Sequence, residues 1–404
     1  MHLTDDCHLT YCMNVHPGEE WADQRRAIVN EACAVKAALA PGRPFGLGLR
    51  LGRRAAAALA APAALEDLRQ LLAAHGLYVF TINAFPYGTF HNQAVKTSVY
   101  LPDWSQRERL DYTLQVADLL AALLPEGVEG SISTLPIAYK EPPLPTASLA
   151  RVCAQLADAA LHLRELERRT GRLIHLGIEP EPDCLIENTQ ECISFFEKTL
   201  LPLGTAWICR NGGLTRQQAE EVLYRHIGIC LDTCHLAVAF ESLSGSLEAL
   251  HRHHIRLSKI QLSAALETVT SQQAVYALFP FARDHVYLHQ VKIRQPDGTL
   301  EAWNDLTPAH LTTWTARTPR RPCRVHFHVP LDFAGHGQLA STSALLTNDF
   351  YTMARRCGAR HFEIETYTFA VLPPALRSRT LVENIIAEYR QVLGEWEIGK
   401  PACR

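Results

Sequence analysis

Residues 227–235 read Ile-Gly-Ile-Cys-Leu-Asp-Thr-Cys-His. A short apolar run with β-branched residues is typical of a strand that is buried on both faces of a parallel sheet. This run ends in Asp232, and His235 follows one helical turn later. Because an unpaired carboxylate in an apolar strand carries a large desolvation penalty, the acid predicts a bound cation or a solvated functional cleft at the strand end.

The rest of the chain repeats this pattern of a short apolar run and an amphipathic segment. Segments such as 107–124 and 146–169 carry apolar residues at three-to-four spacing, which predicts helices. Eight strands that alternate with helices favour a single (β/α)8 TIM barrel of the α/β class over an open doubly wound sheet. We expect one domain over residues 1–404, with strands at 8–14, 45–51, 78–84, 130–137, 173–179, 227–232, 258–263 and 361–366.

A long insertion separates the seventh and eighth predicted strands. It covers residues 264–360, far more than one crossover connection needs. Within it, a Pro-Asp-Gly turn at 296–298 lies between the apolar runs 286–293 and 299–303, which predicts a β-hairpin. Residues 323–331 predict a further strand. We expect this insertion to fold over the mouth of the barrel as a lid.

The composition favours a small-molecule substrate. The 404 residues include 39 Lys plus Arg and 42 Asp plus Glu, so the formal net charge of -3 does not attract nucleic acid or an anionic membrane. No apolar stretch is long enough to predict a membrane span. The first residues, with Asp5 and Asp6, do not resemble a secretory peptide. We expect a cytoplasmic protein whose 12 scattered cysteines are reduced.

Paired acids follow two of the predicted strands. The fifth strand ends with Glu179 and Glu181, and the eighth contains Glu363 and Glu365. Residues two apart in a strand point to the same face, and the carboxyl ends of all barrel strands meet at one mouth. Together with Asp232, these acids predict a divalent metal site. Mg²⁺ and Mn²⁺ prefer such oxygen ligands, whereas Zn²⁺ accepts histidine as well.

Other polar residues at the predicted strand ends are candidates for the same site. His326 and His328 lie two apart on the strand predicted in the insertion, so they share a face. Arg50 ends the second strand, where it would either bind an anion or form a structural ion pair. Lys96 is expected on a solvated face. The remaining candidates for contacts to substrate are His16, Asn83, His91 and His289.

The stretch Gly228–His235 closely resembles the sixth-strand motif of the xylose-isomerase-like superfamily, which includes sugar epimerases, hydroxypyruvate isomerase and endonuclease IV. The resemblance implies that Asp232 binds metal with His235 nearby, and that Glu179 and Glu365 are the metal ligands of the fifth and eighth strands. Gln261 stands where epimerases and the nuclease carry a histidine. This resembles the hydroxypyruvate isomerase branch and implies an all-oxygen site for Mg²⁺ or Mn²⁺, with Zn²⁺ as the alternative.

Over nearly its full length the chain is similar to EboE-type "metabolite traffic" proteins. The resemblance rests on four motifs. They are His-Leu-Thr-Tyr-Cys at 8–12 with Asn-Val-His-Pro-Gly at 14–18, Phe-Gly-Leu-Gly-Leu-Arg at 45–50, Asn-Ala-Phe-Pro at 83–86, and Tyr-Leu-His-Gln at 287–290. It implies a place in a biosynthetic pathway, with proteins of that pathway as possible partners.

These features predict a metal-dependent isomerase or epimerase that acts on a sugar, a sugar phosphate or a cyclitol-like hydroxy-carbonyl compound. The metal would polarise substrate oxygens while Glu179 or Glu365 moves a proton at the adjacent carbon, with Glu181 as a second candidate base. His235, His289 and His328 are further catalytic candidates. Two alternatives stay open, namely metal-dependent hydrolysis of the endonuclease IV type and a non-catalytic carrier that binds a biosynthetic intermediate.

Overall fold

Strands and helices alternate along most of the chain. The computed structural model describes residues 1–91 and 94–397. Its strands are β1 (His8–Tyr11), β2 (Phe45–Arg50), β3 (Leu77–Asn83), β4 (Gly130–Thr134), β5 (Ile174–Ile178), β6 (Ile227–Asp232), β7 (Arg256–Leu262), β8 (Ala264–Val269), β9 (Val291–Arg294), β10 (Leu300–Trp303), β11 (Pro322–Val329), β12 (Ala340–Ser341) and β13 (His361–Ile364).

The helices lie between these strands and pack around them. Two π-helical turns, Ile28–Ala32 and Phe196–Leu200, join α1 to α2 and α7 to α8. The helices are α1 (Trp21–Ala27), α2 (Cys33–Leu39), α3 (Arg53–Leu59), α4 (Pro62–His75), α5 (Arg107–Leu123), α6 (Thr146–Thr170), α7 (Thr189–Phe195), α8 (Leu201–Gly212), α9 (Arg216–His226), α10 (Thr233–Val238), α11 (Leu243–Arg252), α12 (Gln272–Leu278), α13 (Pro308–Thr312), α14 (Asn348–Arg356) and α15 (Leu381–Glu397). Among the described residues, none of these helices is long and apolar enough to span a membrane.

Eight parallel strands form the barrel, which confirms the predicted fold class. Their order is β1-β13-β7-β6-β5-β4-β3-β2, and a parallel bridge between Cys12 and Gly48 joins the two end strands. Gly48 is required at this junction, because a Cβ there would lie 2.1 Å from Oε1 of Glu363. Two predicted strands, 8–14 and 130–137, end earlier than expected. Asn14, for example, already lies in the 3-10 turn Met13–Val15.

The insertion builds a sheet of its own beside the barrel. Its order is β10-β9-β11-β8-β12, and the pairings among these strands are antiparallel. The strand β8, which the sequence analysis did not predict, follows β7 after the single residue Ser263. The pairing of β11 with β8 shifts between Val325 and His328. Such a bulge re-aims side chains, and here it lies at the two histidines of the insertion strand.

A buried ion pair joins two neighbouring strands inside the barrel. Lys259 on β7 donates to Oε2 of Glu363 on β13 at 2.5 Å and to Oγ1 of Thr81 at 3.2 Å. Neither Lys259 nor Glu363 is exposed to solvent. Burial by itself would lower the pKa of Lys259, but attraction to the Glu363 carboxylate outweighs burial and holds that pKa above its usual range. The Lys259 ammonium therefore stays charged beneath the mouth of the barrel.

We predict that Lys259→Met destabilises the fold by roughly 3–5 kcal/mol, because it leaves the Glu363 carboxylate buried without a counter-charge. The free energy of unfolding in urea measures the loss. The double variant Lys259→Met/Glu363→Leu, which removes both charges, should recover most of it. If Lys259→Met were as stable as the wild type, the Lys259–Glu363 ion pair would not stabilise the contact between the two strands.

Candidate metal centre and substrate cleft

Three carboxylates converge at the carboxyl ends of the barrel strands. Glu179 follows β5, Asp232 is the last residue of β6, and Glu365 follows β13. Their relative exposures are 3%, 0% and 4%, and one oxygen of each lies within 4.8 Å of one of the others. The structure thus brings together the three acids that the sequence analysis selected as metal ligands.

The charges of this cluster are poorly balanced by the protein. Burial, and then repulsion by Asp232 and Glu181, raises the pKa of Glu179 well above its usual value. Burial and repulsion by Glu179 and Asp232 do the same to the pKa of Glu365. For Asp232, burial is outweighed by His235, His328 and hydrogen bonds from its neighbours, and its pKa is lowered. Three acids at this separation ionise together only if a cation compensates them.

Unpartnered donor atoms in the cluster fit a metal ion. Within the part of the chain that the structure describes, Oε2 of Glu179, Oδ2 of Asp232 and Nε2 of His328 are buried and have no hydrogen-bond partner. Buried polar atoms are normally hydrogen-bonded. The chemistry of the set, carboxylate oxygens and an imidazole nitrogen, is that of a divalent cation site.

The tautomers of the histidines are fixed by carbonyl oxygens. Nδ1 of His328 lies 2.7 Å from the Glu365 carbonyl oxygen, which can only accept, so Nδ1 carries the proton and Nε2 presents a lone pair. His328 forms a second potential ligand group with Asp232 and His235. Burial lowers the pKa of His328 to about 4. The ring is therefore neutral at physiological pH, which is the form that binds metals.

His235 and His326 face each other across the cleft with Nε2 atoms 3.1 Å apart. Nδ1 of His235 donates to the Pro180 carbonyl at 2.8 Å, and Nδ1 of His326 donates to Oε1 of Gln290 at 2.6 Å. In neutral rings both Nε2 atoms then present lone pairs, which repel at this distance. A cation bound between the two rings would remove this repulsion, and Glu181 completes a third potential ligand group with them.

Two asparagines hold the Glu365 carboxylate. Nδ2 of Asn14 and Nδ2 of Asn83 donate to its Oε1 at 2.7 and 3.1 Å. Asn83 was among the predicted residues, but Asn14 was not, although it belongs to one of the motifs quoted above. His91 supports Asn14, because its Nε2 forms a hydrogen bond with the Asn14 carbonyl at 2.6 Å. Its Nδ1 forms a hydrogen bond with the Tyr287 hydroxyl at 2.8 Å. His91 does not itself line the cleft.

The cleft above the acids has a polar end and an apolar end. Its volume is about 530 Å³ when the open mouth is included. At the polar end Tyr100 donates to Oε1 of Glu181 at 2.8 Å. The residues of the polar end are Asn14, Asn83, Glu179, Glu181, His235, His326, His328 and Glu365, and those of the apolar end are Phe85, Pro86, Phe90, Val95, Val99, Leu288 and the rings of Tyr100, Tyr287 and Tyr367.

Apart from Asp232, which belongs to the acid cluster, four predicted site residues lie outside the lining of this cleft. His289 is bound by Asp284 at 2.8 Å and by the His326 carbonyl at 2.9 Å, so it supports the histidine strand. His16 bonds the Tyr11 hydroxyl at 2.9 Å. His91 supports Asn14, as described above. Oε1 of Gln261 accepts the Cys230 thiol at 3.0 Å.

The structure changes the expected position of one basic residue, Lys96, and decides between the two roles expected for another, Arg50. Lys96 was expected on a solvated face, but it lines the cleft, and its ammonium donates to the Tyr287 carbonyl and to Asp305, both at 2.7 Å. The insertion supplies both acceptors, which the sequence pattern around Lys96 does not reveal. Arg50 is buried and pairs with Glu19 at 2.6 Å, so the structural alternative holds.

Glu388 on α15 connects the insertion to the end of β13. Its Oε1 accepts the Thr366 hydroxyl at 2.6 Å and the Leu331 amide at 3.0 Å. Burial raises the pKa of Glu388 from 4.5 to about 8. The folded state therefore keeps a proton on Glu388 at pH values where the unfolded chain has released it. The stability that this protonated group contributes is fully present below pH 4.5 and is lost as the pH rises toward 8.

We predict that Glu388→Gln, which stays neutral and keeps an acceptor oxygen, gains stability relative to the wild type as the pH rises. The difference in unfolding free energy should grow by at most roughly 1.4 kcal/mol per pH unit between about pH 4.5 and 8. Urea unfolding of both proteins at several pH values measures it. A difference that does not change with pH would contradict a protonated Glu388.

The proteins found to be similar to this chain are solved structures. No family model matches the chain, and no curated protein matches it. The structure of an IolI protein with a bound zinc atom is 12% identical over 97% of this chain and 98% of that chain, with a TM-score of 0.46. A xylose isomerase domain protein from Alicyclobacillus acidocaldarius subsp. acidocaldarius is 11% identical, over 97% and 100% of the two chains, with a TM-score of 0.47.

A D-tagatose 3-epimerase-like protein is 9% identical over 97% of each chain, also with a TM-score of 0.47. At TM-scores below 0.5 these likenesses add no argument to the strand order given above, and the resemblance to EboE-type proteins rests on sequence motifs alone. The three solved structures named here are xylose isomerase-like TIM-barrel proteins.

Proposed function

We propose that the protein is a metal-dependent isomerase or epimerase of a small hydroxylated carbonyl compound. One observation carries the proposal: three buried carboxylates, Glu179, Asp232 and Glu365, converge within 4.8 Å of one another at the mouth of the barrel, and one oxygen each of Glu179 and Asp232 has no partner among the described residues. A divalent cation in that position would polarise the carbonyl and hydroxyl oxygens of a substrate in the cleft.

Glu181 is the group best placed to move a proton. It lies at the polar end of the cleft, where Tyr100 donates to its Oε1. Burial raises the pKa of Glu181 to about 7, close to the value that suits a general base at neutral pH. Glu179 and Glu365, if they hold the cation, are less basic than Glu181. We therefore assign the proton transfer at the carbon next to the carbonyl to Glu181.

His328 is our candidate for the fourth ligand. The expectation of an all-oxygen site rests on Gln261, but its Oε1 already accepts a thiol, and its buried Nε2, a donor, is unpartnered among the described residues. Nε2 of His328, in contrast, is buried, presents a lone pair and has no hydrogen-bond partner among the described residues. A mixed oxygen and nitrogen set favours Zn²⁺ or Mn²⁺ over Mg²⁺.

A pair of variants tests the proposed function. Asp232→Asn should lose most of the bound divalent metal, measured by elemental analysis, because it removes one ligand charge of three. Glu181→Gln should keep the metal and slow deuterium uptake from D₂O, at the carbon next to the carbonyl of hydroxy-ketones, by about 10²- to 10⁴-fold. Mass spectrometry of the recovered ketones measures that uptake.

Glu126→Gln, an exposed substitution, is the matched control and should change neither quantity. Full metal content in correctly folded Asp232→Asn would refute the metal site. If the wild-type protein binds metal but catalyses no deuterium uptake into any of the hydroxy-ketones tested, the result would instead favour the carrier alternative.

The fourth ligand is tested by metal choice. We predict that His328→Gln lowers the affinity for Zn²⁺ at least about tenfold and the affinity for Mn²⁺ less, because imidazole nitrogen is the ligand that Zn²⁺ prefers of the two. Competitive titration with both metals measures the preference. Gln261→Ala is the comparison, and a loss of affinity in that variant alone would return the fourth position to Gln261.

A further inference from the structure

We propose that the substrate carries a planar apolar group beside its hydroxylated carbonyl head, and that it carries no phosphate. This inference rests on the proposed function, because it assigns the head to the acids and histidines of the polar end. It narrows the sugars, sugar phosphates and cyclitol-like compounds expected from the sequence to a smaller chemical class.

The apolar end of the cleft is a continuous aromatic wall. The ring centroids of Phe90 and Tyr287 are 5.3 Å apart, those of Phe90 and Tyr367 are 5.3 Å apart, and those of Tyr287 and Tyr367 are 4.9 Å apart. Phe85 packs on Tyr100 at 5.9 Å. Rings at these separations form one packed surface. This surface comes from the loop after β3, from the insertion and from the residues after β13.

Two of the three tyrosine hydroxyls of this wall are engaged within the protein. The hydroxyl of Tyr287 is bonded to Nδ1 of His91, and that of Tyr100 is bonded to Glu181. The side chains of Val95, Val99 and Leu288 complete the wall and offer only carbon to the cleft. A sugar hydroxyl placed against these carbon groups would lose its water without gaining a partner, which is costly. An apolar group placed there gains from its burial.

The aromatic rings that line the cleft favour a flat group. Aromatic side chains pack against planar groups by their faces and edges. A planar ring therefore gains more from contact with this wall than a branched alkyl group of equal area.

The charges of the cleft disfavour a phosphate. Within residues 1–91 and 94–397, Lys96 is the only Lys or Arg that lines the cleft, and its ammonium is already neutralised by Asp305 at 2.7 Å. Arg50, the other candidate anion-binding residue, is paired with Glu19 and lies outside the lining. A phosphate would therefore meet acids that outnumber the charges of a bound divalent cation, without an unpaired Lys or Arg to compensate it.

A series of ketones that share one head tests the inference. The probes are 2-hydroxyacetophenone, hydroxyacetone and dihydroxyacetone phosphate, titrated calorimetrically into manganese-loaded protein of measured metal content. We expect the phenyl ketone to bind at least about tenfold more tightly than hydroxyacetone, from the apolar area that it buries. We expect the phosphate to bind no more tightly than hydroxyacetone.

Phe90→Ala should bring the affinities of the phenyl and methyl ketones to within about threefold, with unchanged metal content. Tyr276→Ala removes an aromatic side chain that is 72% exposed and distant from the lining, and it should keep the preference. Equal affinities in the wild type, tightest binding of the phosphate, or no measurable binding of the phenyl ketone would each overturn the inference. A phenyl preference in protein that binds no metal would instead reject the proposed function alone.

Discussion

The mutual repulsion of three buried carboxylates is the constraint on which the rest of this structure depends. Glu179, Asp232 and Glu365 stand at the ends of three different strands, so the barrel itself fixes their separation. The ammonium of Lys259 compensates them only in part, because it is engaged by Glu363 deeper in the barrel. The cluster therefore either keeps protons, as the raised pKa values of Glu179 and Glu365 indicate, or holds a cation.

The neighbouring histidine rings are arranged so that their Nδ1 donors point away from that cluster. Carbonyl oxygens accept hydrogen bonds from Nδ1 of His235 and His328, and Oε1 of Gln290 accepts one from Nδ1 of His326. Each ring is left with a lone pair directed into the cleft. Gln290 is in turn oriented by its own donation to the Pro182 carbonyl at 3.0 Å. Elements from the insertion and from the loop after β5 thus cooperate to build a set of acceptors, which suits a cation and excludes an anion.

The sequence was sufficient for the barrel and for the acids because both follow from local patterns. A strand that is buried on both faces needs a run of apolar residues, and an acid at the end of such a run has few structural explanations, so Asp232 could be located with its strand. Asn14 could not, because its role depends on a contact with Glu365 across 351 positions of sequence. The same holds for Lys96, whose partners come from the insertion. Long-range contacts of side chains in loops leave no periodic signal.

The two ends of the cleft strengthen each other physically. An aromatic wall keeps water away from the acids, and in the resulting low dielectric an interaction between a cation and a carboxylate is stronger than in solvent. The same exclusion of water raises the pKa of Glu181 to about 7, which makes a carboxylate an effective base near neutrality. A polar wall of the same shape would bind a free sugar better but would solvate Glu181 and lower its pKa. In the proposed function, the apolar wall would therefore contribute to reactivity as well as to the choice of substrate.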